Sequence, residues 1–168
     1  MKVIPGAEDA PPLQNFTSLA ELFKEQGRLH EAEELYRNSL LSKLNLFGPD
    51  HAETLNAEHS LALVYEAKRK FVEAEEMYKN TIMDKERVYG CEDASTCLTA
   101  FTLAEFYRKL SRSADAAKYY TYALEGYTPI YGEEHEYCMM IKRRLHEMEE
   151  ASRFQTVCRY CDVICIIS

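Results

Sequence analysis

The chain has 168 residues and an apolar share of 46%, enough for one domain with a continuous core and ordinary for a globular protein. Its formal net charge of −8 argues against a general nucleic-acid binder, which would show a basic stripe, and gives a weak preference for basic partners. No secretory signal is read at Met1–Gly6, and no stretch approaches the length of a membrane-spanning helix. Residues 1–12 hold three prolines and no helical period, and are read as a flexible leader.

From residue 13 the apolar period is helical. Phe16, Leu19, Ala20 and Phe23 fall at i, i+3, i+4 and i+7, one face of a first helix. Gly27-Arg28 reads as a turn, with glycine supplying a positive φ after a helix end. Ala32, Leu35, Tyr36, Ser39 and Leu40 mark the inner face of a second helix, stopped by Gly48-Pro49-Asp50. A third helix opens at Asp50, whose Glu53 three places on suggests a variant capping box. Leu61, Ala62, Val64 and Tyr65 face inward along it. Lys68-Arg69-Lys70 makes the turn where glycine served before, and Phe71, Ala74, Met77, Tyr78 and Ile82 line the fourth helix.

The third pair follows with Leu103, Ala104, Tyr107, Ala116, Tyr120 and Ala123 inward. Gly126 and Pro129 predict that the sixth helix ends early, near Gly126, because proline clashes with the preceding helical turn. A last helix is expected from Glu134 to Arg153, with Ile141, Leu145, Met148 and Ala151 as its stripe. Its charged remainder suits the polar outer face that a terminal unit needs.

The pattern is a repeat. Leu19-Ala20, Leu61-Ala62 and Leu103-Ala104 recur every 42 residues, as do Ala32, Ala74 and Ala116, then Tyr36, Tyr78 and Tyr120. Each unit closes on glycine after an aromatic: Phe47-Gly48, Tyr89-Gly90 and Tyr131-Gly132. Self-similarity at such a period means one supersecondary unit, stacked. The expected architecture is an all-α solenoid. It has three helix pairs over residues 13–153 (units at about 16–57, 58–99 and 100–141, capping helix 134–153) and a Cys-rich apolar tail at 154–168. Small alanines opposite large tyrosines have a packing reason, since close helix approach needs a short side chain facing a bulky one.

Two helices per unit, with alanine at the eighth and twentieth places and tyrosine at the twenty-fourth, resemble the tetratricopeptide repeat. The 42-residue length and the Gly-x-(Asp/Glu)-His-type loop are similar to the repeats of kinesin light chains and their relatives. The chain departs from those at the pair before each Leu-Ala, which reads Thr17-Ser18, His59-Ser60 and Phe101-Thr102 where kinesin light chains carry asparagines. The resemblance implies an adaptor or scaffold that binds a partner peptide or helix on a concave face lined by the first helix of each pair. Outward positions there are Glu21, Lys24 and Glu25, then His59, Leu63 and Glu66, then Phe101, Glu105, Arg108 and Lys109. Of these, Lys24, His59, Leu63, Glu66, Phe101, Glu105 and Arg108 are the expected peptide-binding set. Apolar Leu63 and Phe101 among mixed charges suit an extended peptide with both kinds of anchor, although a merely solvated helix face is the plain alternative.

No chemistry stands out. Gly27, Gly48, Gly90 and Gly132 belong to turns, His51 and His135 to equivalent loops, and the glutamates to solvated faces. No enzyme, cofactor, small-molecule substrate or nucleic-acid partner is expected. Asn15-Phe16-Thr17 fits a glycosylation acceptor, but without an export signal it is read as chance. Cys91, Cys97 and Cys138 show no disulfide framework, which points to a reducing, cytoplasmic setting.

The tail is the remaining signal. Cys165-Ile166-Ile167-Ser168 fits a prenylation box with a farnesyl-type ending, and Cys158 and Cys161 upstream would take palmitate. That would tether the adaptor to a cytosolic membrane face. Three other readings stand beside it. Cys158, Cys161 and Cys165 with His146 could hold zinc, though one CxxC is half a site. Val163, Ile164, Ile166 and Ile167 could pack as a cap on a soluble assembly subunit. Or residue 168 is not a natural C-terminus, which voids the box.

Overall fold

The computed structural model describes the backbone from Leu13 to Ile166, and the side chains from Ser18 to Arg153 except Ser152. The leader at 1–12 and the last two residues lie outside it. Seven helices follow in order: α1 Leu13–Glu25, α2 Leu29–Phe47, α3 Ala52–Ala67, α4 Phe71–Tyr89, α5 Ala94–Lys109, α6 Ser113–Tyr131 and α7 Glu136–Ile166. Among the described residues there is no strand.

The helices form two packed units, one ending at Val88 and one beginning at Tyr89. In the first, α2 packs on both α1 and α3. Helix α4 is tied to α3 by Tyr78, whose hydroxyl donates to Glu66 at 3.0 Å, and by Lys85, whose Nζ donates to Asn56 Oδ1 at 3.0 Å. In the second unit α6 packs on both α5 and α7. The repeat positions form the cores. Ala20, Ala62, Ala104, Ala32, Ala74 and Ala116 are all fully buried, and so are Tyr36, Tyr78 and Tyr120 to within 2%. A side chain no larger than a methyl group lets one helix backbone approach another closely.

One turn is built three times. Gly27, Arg69 and Ser111 have φ of 74°, 59° and 59°. Each is followed by a backbone N–H that reaches back five residues: Arg28 to Phe23 at 2.8 Å, Lys70 to Tyr65 at 2.9 Å and Arg112 to Tyr107 at 2.9 Å. The turn residues themselves donate three residues back, to Lys24, Glu66 and Arg108. This pair of bonds is the Schellman closure, which satisfies carbonyls that a helix end otherwise leaves bare. Arg69 and Ser111 hold a backbone that glycine takes without cost.

The other connection corrects the expected capping box. The N-cap of α3 is His51, not Asp50. The His51 Nδ1 accepts from the Glu53 N–H at 3.2 Å, and its ring stacks on Phe47 at 4.6 Å. Asp50 instead pairs with Arg87 at 2.6 Å. The same place in the next connection is Asp93, accepting from Ser95 and Thr96, and in the last His135, accepting from Tyr137 at 3.3 Å and stacked on Tyr131 at 4.5 Å. An imidazole nitrogen caps an N-terminus as a carboxylate does, but the capping-box pattern does not include it.

Three further expectations change. Helix α6 does not end near Gly126 but runs to Tyr131 with Pro129 inside it. Pro129 lies in the last turn and is exposed, so only one helical hydrogen bond is forgone near an open end. Gly126 is not a breaker but a contact point, buried where a Cβ would stand 2.3 Å from Cys97 Sγ and 2.6 Å from the Cys91 carbonyl oxygen. Helix α7 starts at Glu136 and does not stop at Arg153; it continues to Ile166. Finally, Leu19 and Phe71 are 42% and 39% exposed, outside the cores that their periodicity suggested.

Candidate functional site

The predicted peptide-binding residues fall into two patches, one in each packed unit. In the first, Lys24 stands on α1 and His59, Leu63 and Glu66 on α3; all four are half-buried. The His59 ring meets Tyr78 edge-on at 5.9 Å, and its Nδ1 is buried without a hydrogen-bond partner. Burial, with Lys85 and Lys24 nearby, pushes the imidazole down from 6.5 to about 4. The ring is therefore neutral at neutral pH. Glu66 accepts the Tyr78 hydroxyl at 3.0 Å. Lys85, which the sequence did not single out, is only 2% exposed and bonds Asn56 beneath this patch. Burial, then Asp84, pushes the neighbouring Glu58 carboxyl up.

In the second, Phe101, Glu105 and Arg108 stand on α5. Glu105 accepts from the Tyr120 hydroxyl of α6 and from Arg108 Nη2 at 2.7 Å, and Arg144 of α7 lies 3.5 Å away. Burial pushes this carboxyl up, but the bonds from Arg108 and Tyr120 outweigh it and hold the group below the usual range. Phe101 lies 5.8 Å from Tyr120 and lines a cavity of about 50 Å³ with Leu98, Tyr127, Tyr137, Met140 and Ile141. This joins an apolar recess to a charged cluster on facing helices.

Sequence reasoning missed Arg144, the buried Lys85 and the Tyr–Glu bonds. The register held a signal for the last. Residues 21, 63 and 105 read Glu, Leu, Glu, while 24, 66 and 108 read Lys, Glu, Arg. Where leucine takes the acidic place, glutamate appears one turn later, so the buried tyrosine keeps its acceptor. Cys158, Cys161 and Cys165 lie on α7, with side chains outside the described ones. Among the described residues no group of three or more His, Cys, Asp or Glu is placed to hold a metal, and no helix is long and apolar enough to cross a membrane.

Helix pairs in fixed register, closed by the same turn three times, define a repeat protein of the α-solenoid class. Residues 13–82 match the family described as tetratricopeptide repeat. Two crystal structures of the kinesin light chain nearly identical TPR-like repeats of Podosopora anserina align with a TM-score of 0.72 at 20% identity, over 83% of this chain and 66% of theirs. The structure of BtubC (BKLC) from P. vanneervenii aligns with a TM-score of 0.73 at 22% identity, over 83% of this chain and 55% of that one. At these identities the likeness is one of fold, and the chain spans between 55% and 66% of the length of those structures. A sequence comparison with curated proteins gives no match. Residues 13–82 thus resemble tetratricopeptide repeats, and the fold of the chain is similar to that of these kinesin-light-chain-like repeat structures. That fold typically mediates protein–protein interaction.

Proposed function

We propose that the protein is an interaction adaptor that binds an extended peptide or helix of another protein on the first helices of its repeats. The observation that carries this reading is the α5–α7 patch. A recess of about 50 Å³ beside Phe101 accepts a small apolar side chain, and the Glu105–Arg108–Arg144 cluster next to it offers both signs of charge. Apolar anchors give a peptide its affinity, and flanking charges fix its register. The patch of Lys24, His59, Leu63 and Glu66 supplies a second set of anchors. The described thiols Cys91, Cys97 and Cys138 are free, which suits work in a reducing cytoplasm.

The test is a displayed library of random peptides selected on the wild type and on Phe101→Glu, with Arg108→Glu as a second variant. The reading expects enriched peptides with an apolar residue next to charge, at least tenfold weaker on Phe101→Glu, which corresponds to about 1.4 kcal/mol. Peptides that bind both variants as tightly as the wild type would retire the patch.

A further inference from the structure

The turn between α5 and α6 carries a hydroxyl that its two counterparts lack. Its left-handed residue is Ser111, with φ of 59°, where the earlier turns place Gly27 and Arg69. The approach to it differs as well. Lys24-Glu25-Gln26 and Glu66-Ala67-Lys68 precede the earlier two, whereas Arg108-Lys109-Leu110 precedes Ser111. Among the serines and threonines whose side chains are described, Ser111 alone has an arginine three places before it. Arg108, Lys109, Ser111, Arg112 and Ser113 are all exposed.

Two features suit this hydroxyl to carry a phosphate. The first is charge on both sides, from Arg108 and Lys109 before it and Arg112 after it. Arg108 pairs with Glu105 at 2.7 Å and Arg112 with Asp115 at 2.8 Å, and both guanidinium groups reach the surface. Surface pairs exchange at little cost, and a phosphate with nearly two charges and three acceptor oxygens outcompetes a single carboxylate. The second is the start of α6, whose N-cap Arg112 makes no side-chain capping bond. The N–H groups of an uncapped first turn favour an anion beside them.

We propose that Ser111 is a phosphorylation site for a serine/threonine kinase that selects basic residues ahead of its target. Such an enzyme reads arginine with carboxylates in its substrate groove, and Arg108 and Lys109 stand three and two places ahead of the hydroxyl. Ser111 Oγ attacks the γ-phosphorus of ATP, and the bond from that phosphorus to the β-phosphate oxygen breaks. ADP leaves, and the hydroxyl proton passes to the catalytic carboxylate of the kinase. The new phosphate then holds Arg108 and Arg112 and draws Arg108 away from Glu105. Ser111 lies outside the proposed peptide-binding set, and its modification does not rest on that reading.

The test incubates the full chain with the catalytic subunit of a cyclic-AMP-dependent kinase and magnesium ATP, beside a peptide of residues 105–115. The expected result is a phosphate on Ser111, located by fragmentation mass spectrometry and missing from Ser111→Ala. Arg108→Gln, an exposed change that keeps the helical circular dichroism, should take the phosphate about tenfold more slowly. Phosphorus NMR then follows the second ionisation of the phosphate, ordinarily about 6. In the folded chain it should lie below that of the phosphorylated peptide, because Arg108 and Arg112 favour the dianion. Phosphate on the peptide but not on the chain, phosphate on Ser113 in place of Ser111, or an unchanged rate in Arg108→Gln would each overturn the site. An ionisation equal to that of the peptide would overturn the pairing with the arginines.

Discussion

The two patches occupy the same places in consecutive repeats, yet they solve one problem in different ways. Each must satisfy the hydroxyl of a buried tyrosine and present the residues around it. In the second repeat Glu66 takes the Tyr78 hydroxyl and leaves His59 half-buried and neutral, with its Nδ1 short of a hydrogen-bond partner. In the third, Glu105 takes the Tyr120 hydroxyl from one turn earlier and is itself held by Arg108 and Arg144. The lesson is that these two repeats keep a bond, not a residue. The acid can move by one helical turn because places three apart share a face.

The largest expected effect tests the buried imidazole. His59 titrates lower in the folded protein than its usual 6.5, at about 4, so between those values the unfolded chain binds the extra proton. Stability then falls as pH drops from about 6.5 towards 4, by up to about 3 kcal/mol. Glu58, shifted upward, works in the opposite sense. His59→Phe installs the residue found at 101 and should flatten this acid limb; urea midpoints at pH 7 and 4.5 decide, and an unchanged limb would sink the assignment.

Next is Gly126→Ala. The new Cβ meets the Cys91 carbonyl oxygen, a backbone atom that cannot swing away. We expect a loss of about 2 kcal/mol in thermal or urea unfolding. The matching place in the second repeat is Asp84, and Asp84→Ala should change stability by no more than about 0.5 kcal/mol.

Glu105→Gln keeps the shape of the third-repeat network but removes its charge. A cost of about 1–2 kcal/mol is expected at neutral pH. Because the Glu105 carboxyl is held low, its contribution is present above the ordinary carboxylate range and is lost as pH falls through the folded value. The variant should therefore converge with the wild type in acid. The double variant Leu63→Glu, Glu66→Arg rewrites the second repeat in the third repeat's pattern. It should leave stability within about 0.5 kcal/mol, while Glu66→Gln alone costs about 1 kcal/mol. A double variant as damaged as the single would show that the two arrangements are not interchangeable.

The smallest effect concerns the turns. Arg69→Gly and Ser111→Gly relieve left-handed backbone at φ of 59° and should each stabilise by about 0.5–1 kcal/mol. Gly27→Ala should move the other way by a similar amount.

Much of the helix order could be read from the chain because the repeat is written in residues with one physical use. Fully buried alanine and tyrosine recur at fixed places, and glycine marks the loops. What escaped was whatever depends on a neighbour. Gly126 looked like a helix breaker because its reason lies on Cys97 and Cys91, not on α6. His51 was passed over for Asp50 because capping rules favour oxygen acceptors. Leu19 carries the right period but is 42% exposed, because periodicity reports only which face is apolar and not what packs on it. The patches were legible as positions on first helices, whereas Arg144 and Lys85 were not, since α7 and α4 bring them in from elsewhere in the chain.

The three left-handed residues also mark where one helix gives way to the next. Gly27, Arg69 and Ser111 each flip the backbone once and so begin a new second helix. The next place in that count is Arg153, and it lies inside α7. One residue that stays right-handed is thus enough to let α7 run straight through the place where each earlier first helix turns back.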